Sequence, residues 1–304
     1  MESLPDAVIG HMREVVTEPD FSGSPYRLIG EIGRGGMGVV YLGLDTRLGR
    51  RLALKVLRII DADGQAAERM AEEARILASL EHPGIVPIHD LGTLPDGRIF
   101  YAMKFVEGTR LDRYAHGDPL LADRLRVFLR ICETVSFAHS QGVIHRDLKP
   151  ANIMVGQFGE VLVLDWGVAK VTGKAHEPSL TAGTPGYMAP EQVAGATDQL
   201  DARSDVYSLG KTLEALLVTY TGQIPKRLQA IWKKASSADR GARYATVLDL
   251  AREIERFQIG DRVLAYRETI GERVGRLATR NRTLVLLVAA YLAMRIVLFF
   301  LTKP

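Results

Sequence analysis

Three side chains that can do chemistry lie within six residues of one another in the stretch GVIHRDLKPANIMV, residues 142–155. Asp147 is a carboxylate, Lys149 an ammonium and Asn152 an amide, and apolar runs stand on both sides of them. The apolar runs predict short buried strands, so the polar stretch between them is a loop held at both ends. Catalytic groups often lie on loops that a rigid scaffold positions. An ordinary solvated hairpin loop is the alternative that this stretch alone leaves open.

A glycine-rich segment, GRGGMGVV, fits the spacing G-x-G-x-x-G-x-V through Gly33, Gly35, Gly38 and Val40. Glycines let the backbone turn sharply and approach a phosphate closely. Dinucleotide-binding folds use a similar spacing, but there the glycine loop opens a helix. Here the loop runs into VVYLGLD, which is β-branched and aromatic. The segment therefore predicts a phosphate-binding turn between two strands.

Three further charged residues stand in apolar surroundings. Lys55 lies within LALKVL, and a buried ammonium needs a partner, for which Glu73 on the following helix is the candidate. In isolation, a surface-facing lysine on an edge strand and a solvated helix acid are the favoured interpretations. Asp165 ends the apolar run VLVLD. With Asn152 it offers two hard oxygen ligands, which suit Mg²⁺ completed by phosphate and water.

The elements that must position these residues fall into two groups. Short alternating runs from Tyr26 to about residue 106 predict an antiparallel sheet, interrupted by one helix in DGQAAERMAEEARILASL. Beyond Leu120 the pattern is mostly helical. The fold class is therefore α+β, with a small strand-rich lobe, a larger helical lobe and a cleft between them.

Composition sets limits on the class of protein. The chain has 304 residues with 47% hydrophobic and 25% charged residues, as in a globular protein. The single Cys132 lies in an apolar context and suits a reducing compartment. The beginning of the sequence shows no secretory signal pattern. The net charge is +3, but residues 261–304 alone carry +5 and the remainder −2, so the main domain gives no indication of nucleic-acid binding.

Taken together, the motifs resemble those of a protein kinase of the serine/threonine type, and the chain is similar to the bacterial eukaryotic-like kinases that carry membrane anchors. The matching elements follow in order from about Tyr26 to Phe257: the glycine loop at 33–40, A-x-K at 53–55, Glu73, H-R-D-L-K-P-x-N at 145–152, D-W-G at 165–167 and A-P-E at 189–191. The resemblance implies a two-lobed kinase fold and ATP as a substrate.

The resemblance assigns a role to each charged residue. Asp147 would accept the proton of the substrate hydroxyl, and Lys149 would neutralise the transferred phosphoryl group. Asn152 and Asp165 would hold Mg²⁺, or Mn²⁺ in its place. Lys55, fixed by Glu73, would bind the α- and β-phosphates of ATP. The nucleotide site implied in this way comprises Ile32, Gly33, Arg34, Gly35, Gly36, Met37, Gly38, Val39, Val40, Ala53, Lys55, Met103 and Met154.

Further residues receive structural or regulatory roles from the same resemblance. Glu191 would pair with Arg243, and Asp205 would brace the backbone of the catalytic loop. His145 and Trp166 would be packing residues. Thr184 in GTPGY would contact the catalytic site, whereas Thr181 and Ser179, with Thr172 as a further hydroxyl, lie where a phosphate could be bound by Arg146.

The sequence departs from the family pattern at three places. Trp166 stands where phenylalanine is usual, and Lys104 stands where the linker between the lobes often has an acid. Only 37 residues separate Asp205 from Arg243, so a loop-and-helix segment that helps the family dock substrates is shortened. Three functions were weighed: an active serine/threonine protein kinase, a nucleotide-binding pseudokinase scaffold and a small-molecule kinase. The intact charged residues and the GTPGYMAPE segment favour the first.

The predicted organisation has five parts: a flexible extension at 1–25, the kinase domain at 26–257, a basic juxtamembrane helix at 258–282, a transmembrane helix at 283–301 and a short tail at 302–304. The run TLVLLVAAYLAMRIVLFFL is nearly long enough to cross a bilayer, although it contains Arg295. Six arginines precede it between residues 262 and 282, which predicts a single-pass protein with its kinase domain in the cytoplasm. In this segment Val263, Tyr266, Ile270, Val274 and Leu277 recur at helical spacing and form one apolar face. The predicted juxtamembrane helix could lie with this face on anionic lipid or pair with a second copy in a homodimer.

Overall fold

The small lobe is built on a five-stranded antiparallel sheet in the order β1-β2-β3-β5-β4. The computed structural model describes residues 18–35, 38–58, 64–166, 170–171, 184–196, 200–280 and 282–301. The strands of this sheet are β1 (Tyr26–Arg34), β2 (Gly38–Asp45), β3 (Arg50–Leu57), β4 (Ile88–Thr93) and β5 (Ile99–Lys104). The predicted strand-rich lobe is confirmed.

Strand β3 shows how alternation positions the chemistry. Its residues Leu52, Leu54 and Val56 are buried in an apolar cluster with Phe100 on one face of the sheet. Successive side chains of a strand point to opposite faces. Lys55 is therefore directed to the other face of the sheet, which is covered by the helix that follows β3 in the chain.

The segment just before β1 packs against the outer face of the sheet. The Phe21 ring lies 4.9 Å from that of Phe100 and 6.4 Å from that of Tyr26, both in edge-to-face geometry. Phe21 is buried. The expectation of a loose extension up to residue 25 therefore does not hold for residues 21–25, while residues 1–17 lie outside the described residues.

Helix α1 (Gln65–Ser79) is inserted between β3 and β4 of the small lobe. Its buried stripe contains Met70, Ala74 and Leu77, at helical spacing. Glu73 lies on the same stripe and is 2% exposed. The apolar packing of α1 thus places the carboxylate of Glu73 in the interior of the small lobe, next to β3.

The large lobe is mainly helical and encloses the largest apolar core. Two minor sheets stand at its cleft side, one in the order β6-β8-β9 and one formed by β7 and β10. Its elements are α2 (Leu111–His116), α3 (Leu121–Ser140), α4 (Pro190–Val193), α5 (Ala202–Val218), α6 (Lys226–Ala235), α7 (Val247–Gln258), β6 (Gly108–Arg110), β7 (Val143–Ile144), β8 (Ile153–Gly156), β9 (Val161–Val163) and β10 (Lys170–Val171).

The shortened part of the large lobe is the direct link from α5 to α6 through residues 219–225. Arg124 of α3 is fully buried beneath this link. Its guanidinium donates to the carbonyl of Leu216, to Oγ1 of Thr219 at 2.7 Å and to the carbonyl of Ala115 at 3.0 Å. One buried cation therefore ties α3 to the end of α5 where the chain is short.

After α7 the chain does not continue as the helix predicted for 258–282. Residues 259–269 are irregular, α8 spans Ile270–Arg280 and α9 spans Arg282–Leu301. Val263, expected on one face of the helix, is instead completely buried in the core of the large lobe. In the ranges that the structure describes, no helix has the length and apolarity needed to cross a membrane. The predicted transmembrane helix at 283–301 is therefore not supported by the structure.

Candidate active site

A buried ion pair joins the sheet and the helix of the small lobe. The Nζ of Lys55 lies 2.8 and 2.9 Å from the two carboxylate oxygens of Glu73. The hydroxyl of Tyr101 donates to the same carboxylate at 3.0 Å. The ammonium also lies 3.4 Å from Oδ1 of Asp165, across the cleft. The predicted Lys55–Glu73 pair is present, and it extends to the predicted metal ligand.

The charges in this group stabilise one another. Burial alone would lower the pKa of Lys55, but the carboxylates of Glu73 and Asp165 outweigh it, so that its pKa is raised above the ordinary value. Burial likewise opposes ionisation of Asp165, while the ammonium of Lys55 lowers the pKa of this carboxyl. Lysine and aspartate are therefore both charged at neutral pH, as phosphate binding and metal binding require.

The catalytic-loop residues predicted from the sequence converge on one carboxylate. Asp147 accepts from the ammonium of Lys149 at 2.6 Å, from Oγ1 of Thr184 at 3.1 Å and from Nδ2 of Asn152 at 3.1 Å. Asn152 also donates to the backbone carbonyl of Asp147 at 2.9 Å. The predicted contact of Thr184 with the catalytic site is present. This arrangement fixes the carboxylate in position, with its side chain 12% exposed.

A second, fully buried carboxylate holds the backbone of this loop. Asp205 of α5 accepts the N–H groups of His145 and Arg146, each at 2.8 Å. Its Oδ2 is also 2.7 Å from Nε2 of His139, at the end of α3. Arg146 has a φ of 71°, in the left-handed region that residues with a Cβ rarely adopt. Asp205 stabilises this strained turn, as its predicted bracing role requires.

The residues that follow β9 are held by packing. Asp165 has a φ of 59°, which turns its carboxylate toward the cleft, where its side chain is 52% exposed. Trp166 is buried, and its ring lies 4.5 Å from that of His145. Its indole N–H donates to the carbonyl of Val163 at 3.2 Å. The larger ring in place of phenylalanine therefore fits the predicted packing role of both residues.

The glycine loop is the turn between β1 and β2. Gly33 pairs with Val40 and Arg34 with Val39, while the N–H of Gly35 donates to the carbonyl of Gly38 at 2.9 Å. A Cβ on Gly38 would lie 2.5 Å from the carbonyl oxygen of Val56, so this position requires glycine. The predicted residues Gly36 and Met37 lie outside the described residues.

The remaining predicted nucleotide contacts divide into two groups. Ala53 on β3 pairs with Met103 on β5, and Met154 on β8 is partly buried, so these three can supply apolar surfaces for a base. Ile32 is 48% exposed on β1. Arg34 is also exposed, and its guanidinium pairs with Glu31 at 2.7 Å. The guanidinium of Arg34 is thus held on the surface of β1 by its ion pair with Glu31.

Asn152 and Asp165 supply the donors that a divalent cation would need. The two Nδ2 bonds of Asn152 to Asp147 orient its amide oxygen, and Asp165 is ionised and exposed to the cleft. Within the described ranges, no cluster of three or more His, Cys, Asp or Glu side chains could hold a metal. The two oxygen donors fit a cation of the Mg²⁺ type that takes its other ligands from phosphate and water.

The predicted bridge in the large lobe is a buried bidentate pair. Arg243 donates to both oxygens of Glu191, at 2.7 and 2.8 Å, and Ser204 donates to Glu191 at 3.0 Å. The guanidinium also lies 5.0 Å from the centre of the Tyr207 ring. This pair fixes α4, and with it the segment that contains Thr184, against the start of α5.

The predicted phosphorylation sites Thr172, Ser179 and Thr181 lie outside the described residues. The binding group proposed for a phosphate is described: Nε of Arg146 is buried and has no hydrogen-bond partner among the described residues. Burial lowers the pKa of Arg146. An anion beside this guanidinium would offset its burial.

Sequence reasoning missed three residues of the site. Tyr101 pairs with Lys55 across β3 and β5, so strand register could have placed it on the same face. His139 lies six residues before His145 at the end of an amphipathic helix, a weak signal without the fold. Gln192, whose amide donates to the carbonyl of Arg146 at 2.8 Å, gave no signal.

Comparisons with known proteins agree with this geometry. The family profile described as "Protein kinase domain" matches residues 26–244. The serine/threonine-protein kinase PknD of Protochlamydia amoebophila is 33% identical over 298 residues, covering 77% of this chain and 30% of the relative. The probable serine/threonine-protein kinase PknB of Lactococcus lactis is 43% identical over 209 residues, covering 66% of this chain and 32% of the relative.

A solved structure gives the same result for the fold. The crystal structure of the M. tuberculosis PknI kinase domain aligns with a TM-score of 0.59 and 26% identity, covering 78% of this chain and 96% of that one. The chain thus belongs to the protein kinase family, and the predicted two-lobed kinase fold is confirmed. It spans 30–34% of the length of the curated relatives that it matches.

Proposed function

We propose that this protein is an ATP-dependent serine/threonine protein kinase. The observation that carries the proposal is the arrangement of two sets of side chains, Lys55 with Glu73 and Asp165, and Asp147 with Asn152, with the distances within each set given above. Phosphoryl transfer needs mainly positioning and charge neutralisation, and this arrangement supplies both. The names of the relatives support the serine/threonine class.

Each residue has a part in the proposed reaction. Lys55 binds the α- and β-phosphates, and Glu73 holds its ammonium in place. Asp147 orients the substrate hydroxyl and takes its proton as the oxygen attacks the γ-phosphorus, while the bond from the γ-phosphorus to the β–γ bridging oxygen breaks and ADP leaves. Lys149 neutralises charge on the transferred group. Asn152 and Asp165 would hold Mg²⁺, or Mn²⁺, which would supply positive charge to neutralise the phosphates of ATP.

The pseudokinase alternative is not favoured. A scaffold without turnover does not need an ionised, exposed Asp165 together with an oriented Asp147, and both are present. The test is to incubate the purified full chain with γ-labelled ATP, Mg²⁺ and a generic protein substrate. Label transfer that is lost in Asp147→Asn supports a kinase. Nucleotide binding without transfer in the parent chain would establish the scaffold instead.

The protein substrates are expected to be selected by surfaces other than the shortened link. Residues 219–225 replace the longer segment that the resemblance associates with substrate docking. Two exposed apolar residues border this region: Val218 is the last residue of α5, and Leu120 immediately precedes α3. A comparison of phosphopeptides from cells with and without the active kinase would identify the substrates.

Membrane attachment is a further part of the proposal, with the kinase domain in the cytoplasm. Its support is the apolar sequence of α9 and the arginines that precede it, together with exposed Leu286, Leu287 and Leu292 on the described part of this helix. Extraction with alkaline carbonate tests it, since an inserted chain stays in the membrane pellet. Release of the full-length chain into the supernatant would refute insertion.

A further inference from the structure

The irregular segment after α7 is docked on the large lobe by a buried carboxylate. Glu253 of α7 is 2% exposed and accepts the backbone N–H groups of Leu264 at 3.1 Å and of Ala265 at 2.8 Å. The guanidinium of Arg256 donates to the same carboxylate at 2.7 Å. The adjacent Val263 is completely buried. The buried carboxylate of Glu253 needs hydrogen-bond donors, and two of them come from the backbone of this segment. These bonds form only when the segment is docked in this position, so residues 263–265 are fixed on the lobe.

A second set of contacts fixes the beginning of α8. Glu268 lies 2.9 Å from Nε of Arg276 on α8 and 3.7 Å from Nε of Arg227 on α6. Thr269 and Glu272 form a reciprocal cap, in which the N–H of Thr269 donates to Glu272 at 2.8 Å and the N–H of Glu272 donates to Oγ1 of Thr269 at 3.3 Å. These contacts therefore fix the rotation of α8 about its own axis, and with it the direction in which each of its side chains points.

That rotation directs an apolar stripe away from the lobe. At 3.6 residues per turn, Ile270 and Val274 lie about 160° around the helix from the anchoring residues Glu272 and Arg276. Ile270 is 85% exposed and Val274 60% exposed, and Leu264 in the preceding segment is 62% exposed. These three side chains have no place in the core of the large lobe.

The charges around this stripe are cationic. Arg262, Arg267 and Arg273 are exposed, and none of them has a salt-bridge partner in the part of the chain that the structure describes. The neighbouring acids are engaged in the fold, because Glu268 binds two arginines and Glu272 caps α8. An apolar stripe flanked by free arginines is the chemistry of a helix that lies in the interface of an anionic bilayer.

A lipid surface fits this face better than a second copy does. A symmetric dimer through the face would bring two sets of unpaired arginines together, and like charges repel. Helix α9 follows α8 in the chain, and its described side chains include several exposed leucines. We propose that the surface formed by Arg262, Leu264, Arg267, Ile270, Arg273 and Val274 lies against an anionic membrane and sets the orientation of the catalytic lobe.

The proposal rests on the proposed membrane attachment, not on kinase activity, and it is tested on the full-length chain reconstituted in vesicles. Val274→Cys is labelled with an environment-sensitive fluorophore, which is selective because Cys132 is only 1% exposed. Ser22→Cys, on the exposed surface of the small lobe, is the control site. Quenchers on the lipid acyl chains should reduce fluorescence at position 274, but not at 22, in phosphatidylglycerol-containing vesicles.

The dependence of quenching on lipid charge distinguishes binding of this surface to the membrane from attachment through α9 alone. Quenching should be lost in pure phosphatidylcholine, at high salt, and in the triple variant R262Q/R267Q/R273Q. The matched triple variant R75Q/R126Q/R130Q removes the same charge elsewhere and should keep it. Equal quenching in neutral vesicles, or none in anionic ones, overturns the proposal. Energy transfer between labelled copies without lipid quenching assigns the face to a second copy and overturns it as well. Flotation of the vesicles reports separately on attachment.

Discussion

The ammonium of Lys55 and the carboxylate of Glu73 make a bidentate contact, with distances of 2.8 and 2.9 Å, inside the small lobe. The side chains are 10% and 1% exposed. Because the same ammonium reaches Asp165 on the large lobe, one cation connects β3, α1 and the cleft wall opposite. The arrangement holds one ammonium in a fixed position at the cleft, as the binding of phosphate groups requires.

Replacing Lys55 by methionine should abolish activity and also destabilise the domain. Turnover should fall by at least about 100-fold, since a positioned charge on the transferred phosphates is lost. The free energy of unfolding should fall by about 3 kcal/mol, because Glu73 is left buried without its cation. Phosphate transfer and urea unfolding measure the two effects.

The double variant Lys55→Met/Glu73→Gln provides the control. Neutralising the orphaned carboxylate should recover most of the stability and none of the turnover. Recovery of turnover in the double variant would show that the ammonium itself is dispensable.

Replacing Asp147 by asparagine should separate chemistry from binding. The single amide oxygen can take the place of Oδ2 and accept from Asn152 and Lys149, and the bond from Asn152 to the backbone carbonyl of residue 147 is kept. The loop should therefore keep its shape, although the bond from Thr184 to Oδ1 is lost, and the amide cannot take the proton of the hydroxyl. The maximal rate should fall by about 10²- to 10⁴-fold, with little change in nucleotide affinity. Rate measurements and nucleotide titration of the same preparation check this. A variant that turns over normally contradicts the role given to Asp147.

Much of this site could be predicted because its motifs are local. The residues from His145 to Asn152 lie between two apolar runs, and the strands β7 and β8 that those runs predict are present. Burial made Glu73 a candidate partner for Lys55, since an ammonium inside a sheet needs a counter-charge, and the family resemblance then favoured this pair over two solvated side chains. The alternation of side chains along β3 then determines which face of the sheet Lys55 points to.

Other features depend on packing between distant segments, which no local pattern encodes. The helical spacing of Val263 with Tyr266 and Ile270 predicted one continuous helix, but burial of Val263 in the large lobe and the N–H bonds to Glu253 override that preference. Likewise, Phe21 is held by Phe100, nearly 80 residues further along the chain. His139 acquires its role only where α3 meets α5.

Acid should destabilise the fold through Asp205. Burial alone would raise the pKa of this carboxyl, but the hydrogen bond from His139 and the N–H of Arg146 lower it below the ordinary 3.8. A carboxyl with a lowered folded-state pKa stabilises the protein above its unfolded pKa, and that contribution disappears as the pH falls through the folded-state value. Unfolding free energies measured between pH 6 and pH 3 should therefore decrease below about pH 4.

Asp205→Asn isolates this contribution. At neutral pH the variant should be less stable by about 3 kcal/mol, because two backbone N–H groups lose a charged acceptor. Its stability should depend less steeply on pH below 4 than that of the parent. Parallel pH profiles for the two chains would assign the acid sensitivity to other carboxyls.

The position at which the chain is cut should decide whether the catalytic domain folds well. A chain ending at Gly260, just beyond the boundary at residue 257 that the sequence predicts, loses Val263 and leaves Glu253 buried without its two N–H donors. Its free energy of unfolding should be lower by about 3–5 kcal/mol than that of a chain ending at Arg280. Thermal unfolding of both chains, with Val263→Ala in the longer one as an intermediate case, measures this. Equal stability of the two would mean that residues 261–269 contribute nothing to the lobe.

Activation should depend on a phosphate near Arg146, and Thr181 or Ser179 is the expected acceptor. The Nε of Arg146 is buried without a partner among the described residues, and its neighbour Asp147 is the catalytic carboxylate. A phosphate there would form charge-assisted hydrogen bonds to the guanidinium and order the segment leading to Thr184. Mass spectrometry of protein incubated with ATP should therefore find phosphate between residues 172 and 184.

Two variants distinguish this activation from a structural requirement for hydroxyl groups. Thr184→Ala removes the hydroxyl that bridges Lys149 and Asp147, so its activity should be low whether or not the protein has been treated with phosphatase. Ser179→Ala/Thr181→Ala should instead behave like phosphatase-treated parent, with a reduced rate that prior incubation with ATP no longer raises. Arg146→Gln should show the same insensitivity to phosphatase while its segment is still phosphorylated, because the phosphate would be present without its guanidinium partner. If ATP pre-incubation activates Arg146→Gln as strongly as the parent, the phosphate acts through a different residue.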